Sequence, residues 1–474
     1  MASVSRKRIW GWMVFDWAQQ PFYTLGLTFI FGPYFAAVAT EFFLSQGADS
    51  SAAKAHSQEL WSLGQTVAGI IIALSAPLLG TWADASGRKI PWIYAFSVVF
   101  VIASAAIWWL KPDGTGLYLV LTVFFAGFIA SEILLSFINA FLPSLGTDKE
   151  IGRISGSGAA FGYWGGVLSL IIMLLFFADD GGKTLFGGQP LLGLDSSDRE
   201  GTRFVGPLIA VWYIVFMIPF FAWVKDDPAT IKRSTQLGDV LRELFASIKG
   251  LKQRPSLSAL LVGSMFYRDA LNALYAYGGV YAVLVLDWTT NQVGVFGIIS
   301  AIAASIFTWI AGLSDKKFGP KPVIYVVITL LIGVCIVIIT MERNDILGIA
   351  LADGLPTNAA LAGLIGATYG TADLIFYVCG AVIGGCGGGL YASSRSLIVR
   401  HTDKSHATET FGLFALTGKA TAFLAPALIL ITTRMTGDNQ LGFVPLIGLF
   451  LVGLIMLRWV NKDGDRAQWS ASSQ

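Results

Sequence analysis

The sequence predicts an all-α, polytopic membrane protein of twelve transmembrane helices, arranged as two pseudo-symmetric six-helix bundles. Of its 474 residues, 55% are hydrophobic and 13% are charged, whereas soluble domains carry about 25% charged residues. A short charged turn at residues 80–89 (GTWADASGRK) separates two apolar runs and returns at residues 312–321 (GLSDKKFGPK), close to half a chain length later. A turn repeated at that distance indicates a duplicated membrane protein.

Twelve apolar runs are long enough to cross a bilayer, which takes about 20 residues in a helix. In the first half of the sequence they cover residues 12–40, 59–82, 91–110, 116–140, 154–178 and 205–224. In the second half they cover residues 257–286, 292–313, 321–341, 371–397, 408–432 and 442–461. The first run contains Asp16 and has no cleavage site of small residues, so we expect it to remain as span one rather than to be removed as a signal peptide.

The distribution of Lys and Arg predicts the orientation of the spans. With the N-terminus inside, the inner segments hold 23 of these residues and the outer loops hold 7. Both termini are therefore expected in the cytoplasm, in a multi-pass protein of the cell (inner) membrane. The expected state is a monomer surrounded by the lipid bilayer.

The spans group into two predicted bundles joined by a connector. Residues 1–224 are the N-terminal bundle, 225–256 the cytoplasmic connector and 257–474 the C-terminal bundle. The two halves have the same orientation, which makes them a parallel repeat. Apolar residues at helical spacing predict an amphipathic helix in the connector, and they are Leu237, Val240, Leu241, Leu244, Phe245, Ile248 and Leu251.

Composition and motifs argue against several other classes of protein. A net charge of +2 does not suit a nucleic-acid partner. Three cysteines inside apolar runs and three histidines without ligand spacing predict no disulfide framework, no metal site and no cofactor. The sequence has no paired catalytic carboxylates, zinc motif or nucleophile elbow, so it does not indicate an enzyme.

The first charged turn has the pattern Gly-x-x-x-Asp-x-x-Gly-Arg-Lys, which is formed by Gly80, Asp84, Gly87, Arg88 and Lys89. This turn resembles the loop between spans two and three of the major facilitator superfamily, and the twelve spans and the long connector are similar too. The second turn departs from the pattern because Pro320 replaces the arginine. The resemblance implies the major facilitator fold and transport by rocking of two halves around a midplane site.

Further motifs resemble the vacuole-effluxer branch of that superfamily, which is named for an autophagy-linked vacuolar amino-acid exporter of fungi. They follow one another along nearly the whole chain as WMVFDWA at 12–18, NAFLP at 139–143, GRIS at 152–155, GYWGG at 162–166, YRD at 267–269, SRS at 394–396, FG at 411–412 and TGKA at 417–420. Gln19, Gln20, Glu409 and Thr410 depart from the pattern. The resemblance implies efflux of an amino acid and leaves the substrate of this chain open.

Charged side chains inside spans cost about 2.5–3.5 kcal/mol at the helix centre on insertion scales, which makes them candidates for function. Arg268 and Asp269 lie near the middle of span seven, and Lys419 lies within span eleven. We expect Arg268 or Lys419 to bind a substrate carboxylate, and Asp269 to bind an ammonium group or a proton. The alternative is a structural ion pair between spans.

Glu132 and Asp16 are the candidates for proton coupling, together with Asp269. Glu132 lies in span four, and its alternative role is a salt bridge to Arg88. Asp16 lies in the inner half of span one, and its alternative role is to anchor the basic N-terminal tail. Gln65 in span two and Asn139 in span four complete the predicted substrate-binding set.

The resemblance implies that the repeated turns gate the cytoplasmic side. Asp84 is expected to face the N-terminus of span eleven near residues 408–410, where the helix dipole stabilises a carboxylate. By pseudo-symmetry, Asp315 is expected at the start of span five, near residues 154–157. Arg395 is expected to stabilise the gate from span ten. The predicted gating set therefore comprises Gly80, Asp84, Gly87, Arg88, Lys89, Asp315 and Arg395.

The sequence thus predicts a secondary active transporter that exports a small carboxylate-bearing solute, such as an amino acid, by alternating access. Proton coupling is an open addition to this prediction. Two alternatives remain: a transporter of lipids or larger amphiphiles, and a solute sensor that does not transport. The first of these would place Arg268 and Lys419 in an internal pair within an aromatic cavity.

Overall fold

The computed structural model describes residues 5–178, 183–184, 188–226, 234–286, 288, 290–342, 345–350, 370–438 and 440–465. These residues are almost entirely helical, apart from loops and one short antiparallel hairpin formed by Asp345–Ile346 and Ile349–Ala350. Residues 227–233 of the predicted connector and residues 351–369 before span ten lie outside the described part.

The first six spans follow the predicted order. Span one consists of the helix Arg6–Pro21, the π-helical segment Phe22–Phe29 and the helix Phe31–Ser45. Spans two to four are Ser50–Ser86, Ile90–Ala105 with the 3₁₀ turn Ala106–Trp109, and Leu117–Asn139 with the 3₁₀ turn Leu142–Ser144. Spans five and six are Asp148–Phe176 and Val205–Trp223, with the 3₁₀ turn Leu191–Gly193 and the short helix Glu200–Arg203 between them.

The second six spans follow the connector helix Leu237–Gly250 and its 3₁₀ turn Leu251–Gln253. Spans seven to ten are Pro255–Leu286, Thr290–Phe318, Pro320–Thr340 and Thr371–Arg400. Span eleven consists of the 3₁₀ turn Lys404–His406 and the helices Ala407–Ala420 and Leu424–Thr436. Span twelve is Val444–Met456 between the 3₁₀ turns Leu441–Phe443 and Leu457–Trp459.

The spans confirm the all-α membrane fold. Among the described residues, eleven helical segments are long and apolar enough to cross a membrane. Pro255–Leu286, a helix of 32 residues, lies at the position of predicted span seven. Span five begins at Asp148, six residues before the predicted start at 154, because Asp148 and Glu150 occupy a first turn whose dipole favours acidic residues.

Contacts along the chain define two compact units, which we call unit 1 and unit 2. Unit 1 contains Met1–Leu145, Phe161–Leu244 and Lys404–Leu416, and unit 2 contains Gly146–Ala160, Phe245–Asp403 and Thr417–Gln474. The start of span five therefore packs within unit 2, and the start of span eleven packs within unit 1. Each of these short segments comes from the other half of the sequence repeat.

Aromatic side chains fill the core of each unit. In unit 1, the ring of Phe124 lies 5.0 Å from that of Phe22 and 4.7 Å from that of Phe31, centroid to centroid. In unit 2, Phe376 stacks on Tyr281 at 5.2 Å and on Phe296 at 5.1 Å. Such pairs add directional packing energy to the burial of apolar surface.

The connector helix Leu237–Gly250 has the predicted amphipathic character. Val240 and Leu244 are buried, whereas the side chain of Phe245 is 66% exposed. Asp239 and Arg242, which form a 3.6 Å ion pair, occupy the polar face of the helix. The helix thus packs along one side and leaves a large apolar side chain on another.

Candidate functional site

The charged residues of spans seven and eleven in unit 2 meet at an interruption of span eleven. The helix Ala407–Ala420 ends just after Lys419, and a second helix begins at Leu424. Asp269 of span seven is buried, and its Oδ2 accepts a hydrogen bond of 2.9 Å from the backbone N–H of Ala425. Asp269 therefore caps the second helix of span eleven, where the unpaired N–H groups and the dipole favour a carboxylate.

Pro426 gives the local reason for the interruption. A proline has no backbone N–H and cannot donate to the carbonyl four residues earlier, but it is tolerated in the first turn of a helix. Pro426 is the third residue of the helix Leu424–Thr436. The chain therefore breaks one turn before it and resumes as a new helix.

Arg268 and Lys419 lie on the other side of this interruption. The guanidinium group of Arg268 packs against Gly418, where a side chain would collide with it. Lys419 lies in the last turn of its helix, where the dipole favours a cation. Polar groups of the two spans line up beside these residues: Ser264 Oγ lies 3.5 Å from Thr417 Oγ1, and Thr421 donates to the Met265 carbonyl at 3.3 Å.

The prediction for Asp269 changes in this light. The sequence suggested that its carboxylate binds an ammonium group or a proton, or pairs with a cation on another span. One carboxylate oxygen is instead engaged by a helix end, which favours a positioning role for Asp269. Spans seven and eleven pack together within unit 2 at Arg268 with Gly418 and at Asp269 with Ala425, and the substrate-binding roles of Arg268 and Lys419 stay predictions.

A second polar cluster, in unit 1, lies at the π-helical segment of span one. Gln19 donates to the carbonyl of Ser131 at 2.7 Å and to Ser131 Oγ at 2.6 Å. Ser131 donates to Tyr23 Oη at 3.0 Å, and Tyr23 donates to Glu132 Oε1 at 3.3 Å. The four side chains form a continuous line of donors that ends on the Glu132 carboxylate. Single-turn π segments are frequent at functional sites.

The structure accounts for the other candidates of unit 1 in different ways. Arg88, the alternative partner of Glu132, is exposed at its turn. Asp16 packs against Gly162 of span five, which has no room for a side chain. Gln65 is exposed on span two, and Asn139 is buried at the inner end of span four. The predicted roles of Gln65 and Asn139 in substrate binding stay predictions.

Asp84 makes the contact that the sequence predicted. Its side chain is 2% exposed, its Oδ2 accepts a 2.9 Å hydrogen bond from the N–H of Glu409, and its Oδ1 lies 3.8 Å from Lys89 Nζ. Glu409 lies in the first turn of span eleven, where backbone N–H groups lack partners within the helix. Gly80 permits this approach, because a Cβ there would lie 2.6 Å from the Thr408 carbonyl oxygen.

Asp315 does not make the contact expected at residues 154–157. Its Oδ1 accepts a 2.9 Å hydrogen bond from Ser393 of span ten, and its side chain packs against Gly152. The difference follows from the earlier start of span five at Asp148, because residues 154–157 lie inside that helix and their N–H groups bond to carbonyls four residues earlier. Asp315 belongs to a crossing in unit 2 where a Cβ on Gly312 would lie 2.8 Å from Gly156 Cα.

Arg395 joins span ten to the start of span five within unit 2. It is 1% exposed, and its guanidinium donates to Ser155 Oγ at 2.8 Å and to the Ser155 carbonyl at 2.6 Å. Ser155 donates in turn to the Ala392 carbonyl at 2.9 Å. These contacts suit the expected gate-stabilising role.

The glycines of the two repeated turns share one backbone requirement. Gly87 has φ 66° at the end of span two, and Gly319 has φ 85° between spans eight and nine. Positive φ is readily adopted by glycine because it has no Cβ. Two residues after Gly87, the backbone N–H of Lys89 donates a hydrogen bond of 2.8 Å to Asp226 Oδ1.

Sequence reasoning missed Gln19, Tyr23 and Ser131 as members of a network. Gln19 attracted notice only as a departure from the family pattern, and Tyr23 and Ser131 are ordinary polar residues at their positions. The one local signal was Pro21, which ends the first helix of span one and cannot donate a hydrogen bond to the carbonyl of Trp17 four residues earlier. The interruption of span eleven had a similar signal in Pro426.

Unit 2 also has an apolar groove of about 540 Å³, and Arg268, Asp269 and Lys419 do not line it. Spans eight, nine and ten form it, through Phe307, Phe318, Val326, Leu330 and Gly385 among others. None of its lining side chains carries a charge. The groove therefore suits a hydrocarbon chain and not a carboxylate.

Motifs that lie far apart in the sequence pack on one another. The indole N–H of Trp12 donates to the Ile138 carbonyl at 2.8 Å, which joins span one to the end of span four. Tyr267 Oη lies 2.8 Å from Ser394 Oγ, which joins span seven to span ten.

Residues 4–469 match the family described as vacuole effluxer Atg22 like. The chain belongs to this family. Among relatives of this Atg22-like chain, the uncharacterized MFS-type transporter YxiO of Bacillus subtilis is 24% identical over 462 residues, 95% of this chain and 94% of YxiO.

Fungal relatives match a shorter part of the chain. Autophagy-related protein 22 of Cryptococcus neoformans (strain B-3501A) is 22% identical over 336 residues, which is 68% of this chain and 55% of the fungal protein. The protein of the same name from Yarrowia lipolytica is 23% identical over 344 residues, 67% of this chain and 52% of that protein. The matched region thus spans about half the length of these fungal relatives.

Solved structures show the fold. The human organic anion transporter MFSD10 gives a TM-score of 0.65 at 14% identity, covering 95% of this chain and 99% of that one. The proton:xylose symporter XylE gives 0.63 at 14% identity, covering 98% of each chain. The Atg22-like chain is therefore a multi-pass membrane protein of the MFS transporter type, and the family and fold are those of transporters rather than enzymes.

Proposed function

We propose that this Atg22-like chain is a secondary active transporter that exports a small carboxylate-bearing solute, such as an amino acid, across the cell membrane. It acts as a monomer by alternating access, with both termini in the cytoplasm. The observation that carries the proposal is the placement of Arg268 and Lys419 at the interruption of span eleven in unit 2.

The charges of this cluster favour an anionic group. Arg268 and Lys419 are cationic, and Asp269, the acidic member, gives one carboxylate oxygen to the N–H of Ala425. The three side chains together carry a net positive charge. Arg268 offers five N–H donors in a planar fork that matches a carboxylate, and Lys419 offers three more. Charges within spans are costly enough that they commonly mark substrate pathways.

An interrupted span supports the same proposal. Transporters commonly bind substrates where a transmembrane helix is discontinuous, because helix ends expose backbone groups and local dipoles. In span eleven, Lys419 lies at the end of one helix and Asp269 caps the start of the next. Asp269 thereby fixes one of the two helix ends between which a solute would bind.

Proton coupling is assigned to Glu132 in unit 1. The Glu132 carboxylate accepts a hydrogen bond from the Tyr23 hydroxyl, and that hydroxyl accepts a hydrogen bond from Ser131. For Glu132 to couple transport to protons, a proton has to pass between its carboxylate and water, and the Tyr23 hydroxyl, which can both donate and accept, is placed to relay it. The direction of transport rests on the names of the fungal relatives and their family.

Gating is assigned to the inner contacts in each unit. In unit 1, Asp84 holds the N-terminus of span eleven through Glu409. In unit 2, Arg395 holds the start of span five through Ser155. Alternating access requires both contacts to break when the cytoplasmic side opens.

A ligand screen by thermal shift tests the proposed site. Purified protein is heated with amino acids, dipeptides and organic acids, because a ligand at 100 times its Kd stabilises the folded state by about 2.7 kcal/mol. We expect a carboxylated solute to stabilise the wild type but neither Arg268→Ala nor Lys419→Ala. Arg434→Ala is the matched control, since Arg434 is exposed near the end of the same span. Stabilisation that survives in both cluster variants would refute the assignment.

A transporter of lipids or larger amphiphiles is the second candidate, favoured by the apolar groove of about 540 Å³ on unit 2. It predicts that a lipid or a detergent-like molecule, and no carboxylated metabolite, stabilises the protein. Val326→Asp, which places a charge in that groove, would then abolish the stabilisation. Under the first proposal, stabilisation by the carboxylated solute persists in this variant.

A further inference from the structure

Three potential metal ligands from two segments, the connector helix and the start of span eleven, meet in unit 1. They are Glu243 of the connector helix, His406 of the 3₁₀ turn that begins span eleven, and Glu409 in the first turn of the α-helix that follows it. One ligand atom of each lies within 4.8 Å of those of the other two. The sequence predicted no metal site because its three histidines lack ligand spacing, and Glu243 comes close to His406 only in the folded chain.

The Glu409 carboxylate provides an independent sign of a missing partner. The residue is 1% exposed, and its Oε2 lies 3.2 Å from Nδ1 of His406. Its Oε1 is buried and has no hydrogen-bond partner. A buried carboxylate oxygen without a partner is costly, because it has lost its hydration without replacement. A cation at this position would supply the partner.

The pair His56 and Glu59 has the same spacing as His406 and Glu409, and it serves as an internal comparison. His56 and Glu59 on span two lie 3.5 Å apart, and both side chains are more than half exposed. Among the described residues, the grouping with a third ligand occurs at His406 and not at His56. Water can satisfy the carboxylate of Glu59, whereas it does not reach Oε1 of Glu409.

We propose that Glu243, His406 and Glu409 form a binding site for a divalent transition-metal ion of the Zn²⁺ class. Zn²⁺ accepts one imidazole nitrogen and two carboxylate oxygens at about 2.0–2.2 Å, and the fourth position is left to water. Ligand atoms in such a site are about 3.3 Å apart, so the three groups need to approach by about 1.5 Å at most. Mg²⁺ and Ca²⁺ are poorer candidates because they prefer oxygen ligands only.

The location of the site gives metal binding a consequence for the gate, and this step rests on the proposed function. The backbone N–H of Glu409 binds Asp84, and its side chain would bind the metal. A bound ion would therefore tie the connector helix to the segment that Asp84 holds. Cytoplasmic Zn²⁺ should keep this contact closed and slow transport.

Metal titration of the purified protein tests the site. The protein carries no polyhistidine tag, is treated with a chelator, and is titrated with Zn²⁺ by calorimetry and thermal unfolding. We expect one Zn²⁺ per chain and a rise in Tm, with affinity at least tenfold weaker in Glu243→Gln and in His406→Asn. His56→Asn is the matched control and should bind as the wild type does. Glu243 is the safer position because it is only partly buried and lies on the connector helix.

The results separate the site from its consequence. Absence of Zn²⁺ binding, or equal affinity in the wild type and both cluster variants, overturns the site. Transport of the identified solute in vesicles then decides the regulatory step: Zn²⁺ on the cytoplasmic side should inhibit the wild type and spare Glu243→Gln. Equal inhibition of both overturns the regulatory step, and a failure to transport any solute refutes the proposed function while the titration still decides the site.

Discussion

The carboxylate of Asp269 in span seven accepts a 2.9 Å hydrogen bond from the backbone N–H of Ala425, and in this way it caps the second helix of span eleven. A charged residue in the middle of one span thus holds the broken end of another. Removing this cap in Asp269→Ala should cost about 1 kcal/mol of stability, and Asp269→Asn, which keeps an acceptor oxygen, should cost less. Hydrogen exchange at the Ala425 amide measures the effect directly. We expect faster exchange in Asp269→Ala, and unchanged exchange would contradict the capping role.

Neutralising Asp84 should weaken the closed state of the cytoplasmic gate. Asp84→Asn removes a charge that faces a helix N-terminus, an interaction of about 1 kcal/mol, which shifts the gate equilibrium about fivefold toward inward-open. Thr408→Cys reports the opening because Thr408 is buried beside Gly80 and the three native cysteines are buried as well. An impermeant thiol reagent applied from the cytoplasmic side should label the introduced thiol several-fold faster in the Asp84→Asn background.

Asp113→Asn is the control for that labelling experiment. Asp113 is exposed in the loop before span four, where hydrogen bonds from Thr115 lower the pKa of its carboxyl group. Its loss of charge should leave the labelling of the Thr408→Cys variant unchanged. Slower labelling in the Asp84→Asn background, which means a locked outward-open state, would contradict the gating role of Asp84.

The glycine crossing between spans eight and five should tolerate no side chain. A Cβ on Gly312 would lie 2.8 Å from Gly156 Cα and 2.9 Å from the Gly152 carbonyl oxygen, which is too close for atoms that cannot move independently. Gly312→Ala should therefore lower Tm by several degrees. Gly333→Ala in span nine is the matched control, because nothing lies within 4 Å of a Cβ there. Equal Tm values for the two variants would show that the crossing is not tight.

Tyr23 should control proton coupling without binding the solute. Tyr23→Phe removes the hydroxyl between Ser131 and Glu132, and Glu132→Gln removes the group that takes the proton. Both variants should lose transport driven by a proton gradient and retain exchange of labelled for unlabelled solute. Tyr118→Phe is the control because Tyr118 is exposed at the start of span four. Proton-driven transport at the wild-type rate in Glu132→Gln would exclude Glu132 as the coupling residue.

The sequence was sufficient for the fold and for one gate contact. Hydropathy and the repeated turn determine which segments cross the bilayer, and the pairing of Asp84 with the start of span eleven follows from the family pattern. At Asp315 the predicted element was right and the predicted residues were not: Asp315 packs against Gly152 of span five and accepts a hydrogen bond from Ser393, because span five begins earlier than predicted. Span five begins at Asp148, six residues before the predicted start. Residues 154–157 therefore lie in the interior of the helix and not at its end.

The polar clusters form through local helix irregularities and through packing between helices, which residue spacing along the sequence does not predict. Ser131 and Glu132 are linked through Tyr23, which lies in the π-helical segment of span one, and a π turn changes the face that each later residue of the span presents. Asp269 meets Ala425 only because span eleven breaks before Pro426. Glu243 reaches His406 through the packing of the connector helix. Pro21 and Pro426 were the local signs of such irregularities. They indicate where regular helix ends, but they do not indicate which side chain bonds to the backbone there.

Transport by the purified protein in liposomes is the most direct test of a transport site for a carboxylated solute at Arg268 and Lys419. Vesicles are preloaded with the carboxylated solute that gives the largest thermal shift, and exchange with labelled external solute is followed in the wild type, Arg268→Ala, Lys419→Ala and Arg434→Ala. We expect exchange by the wild type and by Arg434→Ala, and at least a tenfold loss in both cluster variants. Binding without any exchange, or exchange that is unaffected in Arg268→Ala and Lys419→Ala, would contradict this expectation.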